Sequence, residues 1–140
     1  MAHKITGLIL VCFMAMTGLA MAEPTSKEEA AVTAAQTWLA KIDSANYEAS
    51  WKDASAYFQN VLTQEQWVVS LKGVRAPLGK LGSRKLQKAT SMTALPGAPD
   101  GEYVVVLFDS SFENKATAVE TVTLKRDADG QWRSAGYFIR

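Results

Sequence analysis

The chain has 140 residues, with 15 Lys plus Arg against 14 Asp plus Glu and a formal charge of +1. It is 48% hydrophobic and 21% charged, with 9 Gly, 4 Pro and a single Cys. These proportions exclude a disordered, collagen-like or disulfide-framed chain, and bulk charge excludes a strongly basic nucleic-acid binder.

Residues 1–22 read as a secretory signal peptide. Lys4 marks a short basic start, an apolar run extends from Ile5 to about Leu19, and Ala20-Met21-Ala22 supplies a small-residue cleavage site. The run is short for a helix that must cross about 30 Å of hydrocarbon, so cleavage after Ala22 is preferred to a membrane anchor. Cys12 lies inside the apolar run and not behind a small-residue box, which argues against a lipoprotein signal. The expected product is one α+β domain over 23–140, periplasmic or secreted, with no stable membrane anchor after cleavage. Those 118 residues carry 14 basic and 14 acidic groups and contain no Cys and no His.

Ser26-Lys-Glu-Glu29 has the pattern of a capping box, and it predicts a helix to about Ile42 with Ala31, Ala35, Trp38, Leu39 and Ile42 on one face. Tyr47, Trp51, Ala54 and Phe58 follow at helical spacing, as one or two short helices. Thr63-Gln-Glu-Gln66 repeats the capping pattern, and a stripe of Trp67, Leu71, Val74 and Leu78 continues until Pro77 and Gly79 end the helix.

Strand character begins after Gly82. A weak strand is expected over Arg84–Leu95, then a Pro/Gly turn, then a strong strand over Glu102–Phe112. That strand is apolar on both faces over its first half, which predicts cover on both sides there. A third strand is expected over Thr117–Arg126, a turn at Asp127–Gly130, and a last strand over Gln131–Ile139. N-terminal helices and a C-terminal meander predict helices packed on a curved antiparallel sheet of about four strands, cone-like in shape.

Two stretches carry a family resemblance. One is Trp38-Leu-Ala-Lys-Ile-Asp43 with Asn46-Tyr-Glu-Ala-Ser-Trp51 and Glu65-Gln-Trp67. The other is Leu95-Pro-Gly-Ala-Pro-Asp-Gly-Glu-Tyr-Val104 with Ser111-Phe-Glu-Asn114, Glu120-Thr-Val122 and Gly130-Gln-Trp-Arg133. Together they resemble a family of small exported bacterial proteins classed as a domain of unknown function. That resemblance implies no activity. The helical half also resembles the cone-shaped superfamily of nuclear transport factor 2 and ketosteroid isomerase, which implies a curved sheet around a pocket. No catalytic set of that superfamily maps onto motif positions of this chain, so no catalytic residue is carried over.

Without His or Cys after residue 22, metal sites of ordinary type and Ser-His-Asp or Cys-His catalysis are not expected. No cofactor motif is present, and Gly73, Gly79 and Gly82 do not form a phosphate loop. Between Glu65 and Asp100 there is no acidic residue, while Lys72, Arg75, Lys80, Arg84, Lys85 and Lys88 contribute six positive charges. That is a solvated flank with a lysine-guarded strand edge, or else a patch for an anionic partner. Nucleic acid is not expected, because no aromatic residue is interleaved among these cations.

Glu120 is the carboxylate of most interest. Ala118, Glu120, Val122 and Leu124 share one strand face, and if that face is buried Glu120 stands in apolar surroundings suited to general-base work or to gripping a ligand. The structural alternative is an ion pair with Arg133 or Arg140, or the opposite register. Trp38, Trp51, Trp67, Tyr103 and Arg133 are candidate binding residues, which plain core packing of the aromatics would also explain. Two functions remain open. One is a non-catalytic binding or interaction module, for a small apolar ligand or a periplasmic protein. The other is a cofactor-independent enzyme of proton transfer or hydration, with Glu120 as base and Tyr137 as donor.

Overall fold

A computed structural model describes residues 26–140. The signal peptide expected over residues 1–22, and its cleavage, lie outside the described residues.

Helix α1 (Lys27–Asp43) starts where the Ser26 hydroxyl accepts the Glu29 amide at 3.1 Å. It buries Ala31, Ala35, Trp38, Leu39 and Ile42, the stripe its spacing predicts. The aromatic segment splits into α2 (Tyr47–Lys52) and α3 (Ala56–Val61), with Ser55 capping the second through the Phe58 amide at 3.1 Å. Helix α4 (Gln64–Val74) opens on a complete capping box. The Gln66 amide donates to the Thr63 hydroxyl at 3.1 Å, and the Thr63 amide donates to the Gln66 side chain at 3.0 Å. A single 3-10 turn, Ala76–Leu78, then hands the chain to the sheet.

The α4 stripe differs from expectation in one respect. Val74 is 54% exposed, and Arg75, four residues beyond Leu71, takes the inward position with 3% exposure. The inward row is therefore Trp67, Leu71, Arg75, at steps of one helical turn.

Strands β1 (Leu81–Met92), β2 (Tyr103–Phe112), β3 (Lys115–Arg126) and β4 (Trp132–Ile139) form an antiparallel meander in the order β1-β2-β3-β4. β1 starts and ends three residues earlier than its composition suggests, because its pairing with β2 runs from Leu81↔Phe112 to Met92↔Tyr103. Register shifts interrupt every pairing, at Leu81/Ser83, Leu86/Lys88, Ser110/Phe112 and Thr123/Leu124. Bulges bend strands and deepen their twist, so the sheet curves around the helices. The β3–β4 turn closes with Gly130 at φ 83°, a left-handed position that glycine takes without strain.

The inner face of the sheet carries Val104, Val106, Phe108, Ser110 and Phe112 from β2, and Ala118, Glu120, Val122 and Leu124 from β3, all buried. Most of these apolar residues join the inward residues of the four helices in one core cluster. On the outer face, Tyr103 is buried, and its hydroxyl donates to the Pro99 carbonyl at 2.5 Å. Val105 and Leu107 are only half-buried. The expected cover on both sides of β2 is thus reduced to Tyr103, because among the described residues the helices lie on one face.

Candidate functional site

Five elements and the C-cap residue of α4 deliver polar side chains to one point inside the domain. Glu120 of β3 stands opposite Phe108 and Ile139 and is fully buried. Its partner is Arg84 of β1, not Arg133 or Arg140. Arg84 Nε donates to Glu120 Oε1 at 2.7 Å and its Nη2 to Oε2 at 3.1 Å. The same guanidinium holds Asp43, the last residue of α1, from Nη1 to Oδ2 at 2.7 Å and from Nη2 to Oδ1 at 2.9 Å. Arg75 reaches Asp43 Oδ1 at 3.3 Å, donates to the Gly79 carbonyl at 2.7 Å, and lies 4.3 Å over the Phe112 ring. Ser110 of β2 donates to Glu120 Oε1 at 2.5 Å, and the Tyr137 hydroxyl of β4 donates to Oε2.

Two acids face two guanidiniums, so the cluster is neutral as a whole. Burial works against the charge on Arg84, but hydrogen bonds to Asp43 and Glu120 outweigh it and hold its pKa above the ordinary arginine value. Burial first, and then the Glu120 charge, push the Tyr137 hydroxyl well above the ordinary tyrosine value, so it stays a neutral donor.

Glu120 therefore accepts four hydrogen bonds, two at each oxygen. A carboxylate offers about four acceptor positions, and here all are filled by protein donors. A general base needs a lone pair within reach of the proton it abstracts. In this arrangement Glu120 has none to spare, and the chemistry it performs is to anchor Arg84, Ser110 and Tyr137 to one another.

Above this cluster lies an aromatic layer. Trp38 and Trp67 stack at 5.9 Å, and Tyr137 meets both edge-on at 5.7 and 6.4 Å. Phe58 closes on Trp67 edge-on at 4.9 Å. Ser50 serves both indoles, since Trp38 Nε1 donates to its carbonyl at 2.7 Å and Trp67 Nε1 to its hydroxyl at 2.9 Å. Trp51 stays at the margin, half-buried, its indole donating to the Leu62 carbonyl at 2.8 Å. Tyr103 sits on the opposite face of the sheet. Arg133 belongs to the β3–β4 turn, paired with Asp127 at 3.2 Å and Asp129 at 2.7 Å. The five candidate binding residues thus do not form one site: Trp38 and Trp67 come together, and the other three stand apart.

Open clefts surround this filled interior. Trp38 and Arg133 line a polar groove of about 440 Å³ with Lys41, Lys52, Asp53 and Trp132. A more apolar cleft of about 230 Å³ lies between α4 and the end of β4, lined by Trp67, Ser70, Leu71, Val74, Tyr137, Phe138 and Ile139. Among the described residues no three His, Cys, Asp or Glu side chains are grouped to hold a metal ion, and no helix is long and apolar enough to cross a membrane.

Residues 34–137 match the model of a family described as "Protein of unknown function (DUF4019)". The chain belongs to this family. All six residues of the buried polar cluster fall inside the DUF4019 span. No curated protein matches the chain. Among solved structures it is similar to Aln2 from a Streptomyces species, with a TM-score of 0.50 and 14% identity over 84% of this chain and 92% of that one. At that identity the likeness speaks for the fold alone, a helical half followed by an antiparallel sheet.

Glu120 and Tyr137 are legible in this DUF4019 sequence as candidates, whereas Asp43, Arg75, Arg84 and Ser110 are not. The signals that point to them are positional. Arg75 continues the Trp67–Leu71 row by one turn, and Asp43 follows Leu39 by the same step. Of the six cations in the acid-free stretch, Arg75 and Arg84 turn inward, while Lys72, Lys80, Lys85 and Lys88 are exposed.

Proposed function

We propose that this DUF4019 protein is an exported, non-catalytic binding or interaction module that works through its outer surface. Export is supported by the signal-peptide pattern of residues 1–22. The observation that carries the non-catalytic reading is the state of Glu120, the best-placed carboxylate for acid–base work. It is shut off from solvent and its acceptor positions are fully used by Arg84, Ser110 and Tyr137. The surface instead offers open clefts bordered by exposed apolar residues, Val74 and Phe138 among them.

Two measurements test this reading. Intact mass of the protein from a periplasmic extract is expected to match residues 23–140, and full-length protein in the membrane fraction would overturn export. Titration with a panel of small apolar molecules, followed by amide chemical shifts, is expected to move signals around Val74 and Phe138. Shifts centred on Ser110, Glu120 and Arg84 would mean that the interior opens to ligand, and the proton-transfer reading would replace this one.

A further inference from the structure

The open edge of β4 is built to accept another strand. Val119 N–H donates to the Arg140 carbonyl at 2.8 Å and Arg140 N–H returns to Val119 at 3.1 Å, which makes them a doubly bonded antiparallel pair. Such pairs alternate with non-bonded ones. The register runs unbroken from Glu120↔Ile139 to Thr123↔Gly136, so Phe138 and Gly136 turn their backbone toward β3. Tyr137 and Ile139 turn theirs away, onto the free edge of the sheet. Further up the strand that edge is already closed, because the Ser55 amide occupies the Ser134 carbonyl at 2.8 Å. Among the described residues, the Tyr137–Ile139 stretch has no such cover.

The apolar cleft lies along this same stretch. Adjacent residues of a strand point to opposite faces, yet Tyr137 and Phe138 both line the cleft. It therefore wraps around the strand's edge, with α4 as its far wall. At about 230 Å³ it is smaller than the ~300–1,000 Å³ of ordinary small-molecule sites, which suits one inserted side chain better than a whole ligand. Its rim is apolar, with Val74 54% and Phe138 59% exposed. On the strand side its rim is positive, because exposed Arg140 shares a strand face with Phe138. By contrast β1, the opposite edge strand, carries exposed Lys85 and Lys88, an ordinary guard against strand addition.

We propose that this cleft takes an extended segment of a partner protein as a fifth strand. The segment pairs with the backbone of Tyr137 and Ile139, places an apolar side chain between Val74 and Phe138, and carries a carboxylate toward Arg140. Main-chain bonds then supply affinity and the cleft supplies selectivity. A second copy of β4 is a poorer occupant, because Trp132–Arg140 contains Arg133 and Arg140 and no acid. The proposal rests on the reading of the chain as a binding module and names its partner's chemistry.

A random heptapeptide display library, selected on protein purified from cells expressing the full chain, tests it. Enriched peptides are expected to alternate apolar residues and to include Asp or Glu. Ile139→Pro deletes an outward N–H without touching the β3 ladder, a placement proline tolerates on an edge strand. Loss of that one hydrogen bond is expected to weaken the synthesised peptides about threefold to tenfold. Val74→Asp, at an exposed position, is expected to weaken them at least as much through repulsion of the acidic residues. Bound peptide should protect the Tyr137 and Ile139 amides from hydrogen exchange. Peptides that bind both variants as well as the parent protein would overturn the proposal, as would a concentration-dependent dimer abolished by Ile139→Pro, which would make the occupant a second copy. Failure of the peptides alongside binding of decanoate in the cleft would sink the partner and keep the binding module. Failure of both would sink the two together.

Discussion

Removing Arg84 is the sharpest perturbation of this fold. Among the described residues, Arg84 alone touches both inward acids, with two hydrogen bonds to Asp43 and two to Glu120. Its side chain is 11% exposed and that of Glu120 is 0% exposed, so solvent cannot replace it at Glu120, whereas Asp43, 20% exposed, keeps some access to water. Arg84→Met leaves Glu120 held only by Ser110 and Tyr137, and Asp43 held only by Arg75. Breaking a buried pair from one side costs ~3–5 kcal/mol, a large share of a typical ~5–15 kcal/mol total. The cost arises from the stranded charge more than from the lost bonds. Adding Glu120→Gln removes that charge, keeps one oxygen acceptor for either Ser110 or Tyr137, and lets its amide donate to the other hydroxyl. Urea denaturation of the parent, both single variants and the double variant measures the coupling. The double variant is expected to be more stable than Arg84→Met alone by at least ~1 kcal/mol. If the two single losses simply add, Arg84 and Glu120 do not depend on each other and the argument from stranded charge fails.

Three further expectations follow from the same geometry. The folded state holds the Tyr137 proton, while the unfolded chain releases it near the ordinary pKa of ~10, so this contribution to stability is complete below pH ~10 and is lost above it. Denaturant midpoints across that alkaline range should fall for the parent protein and fall less steeply for Tyr137→Phe; parallel curves would refute the link. Trp38→Ala and Trp67→Ala should each cost ~3–5 kcal/mol, since both indoles are buried and share Ser50, whereas Trp51→Ala and Trp132→Ala, at half-buried positions, should cost less. A denaturant series that ranks Trp132→Ala worst would misplace the core. Gly79 has φ 76° and a Cβ there would sit 2.8 Å from Glu113 Oε2 and 2.9 Å from Glu113 Cβ, so Gly79→Ala should cost ~1–3 kcal/mol by thermal or urea unfolding, and a neutral result would mean that the turn simply re-forms.

The elements were legible because their signals are local. Ser26 and Thr63 cap the helices they precede, Ala31 through Ile42 repeat at helical spacing, and Gly130 stands where a left-handed turn residue is required. The facing of β3 was legible only as a choice between two registers, since alternation places Glu120 with Val122 and Leu124 but does not say which face meets the helices. β1 was hardest to bound. Its few apolar residues and the register shift between Leu86 and Lys88 break the alternation that would have shown its extent and its inward side.

The site was half hidden for a different reason. Charged residues are read as solvent-facing because they almost never go inside unpaired. Whether Arg84 goes inside depends on Glu120, 36 residues later, and on Asp43, 41 residues earlier, so no window of sequence around Arg84 contains its reason for burial. The same physics constrains function. The two guanidiniums balance the charge of the two inward acids, and Arg84, Ser110 and Tyr137 commit hydrogen bonds to Glu120. Tyr137 is the exception in position though not in bonding, since its hydroxyl is anchored to Glu120 while its strand borders the cleft against α4. The buried cluster thereby fixes one wall of the cleft, beside a strand edge unpaired among the described residues, and a rigid wall reduces the entropy the protein itself would lose on binding there.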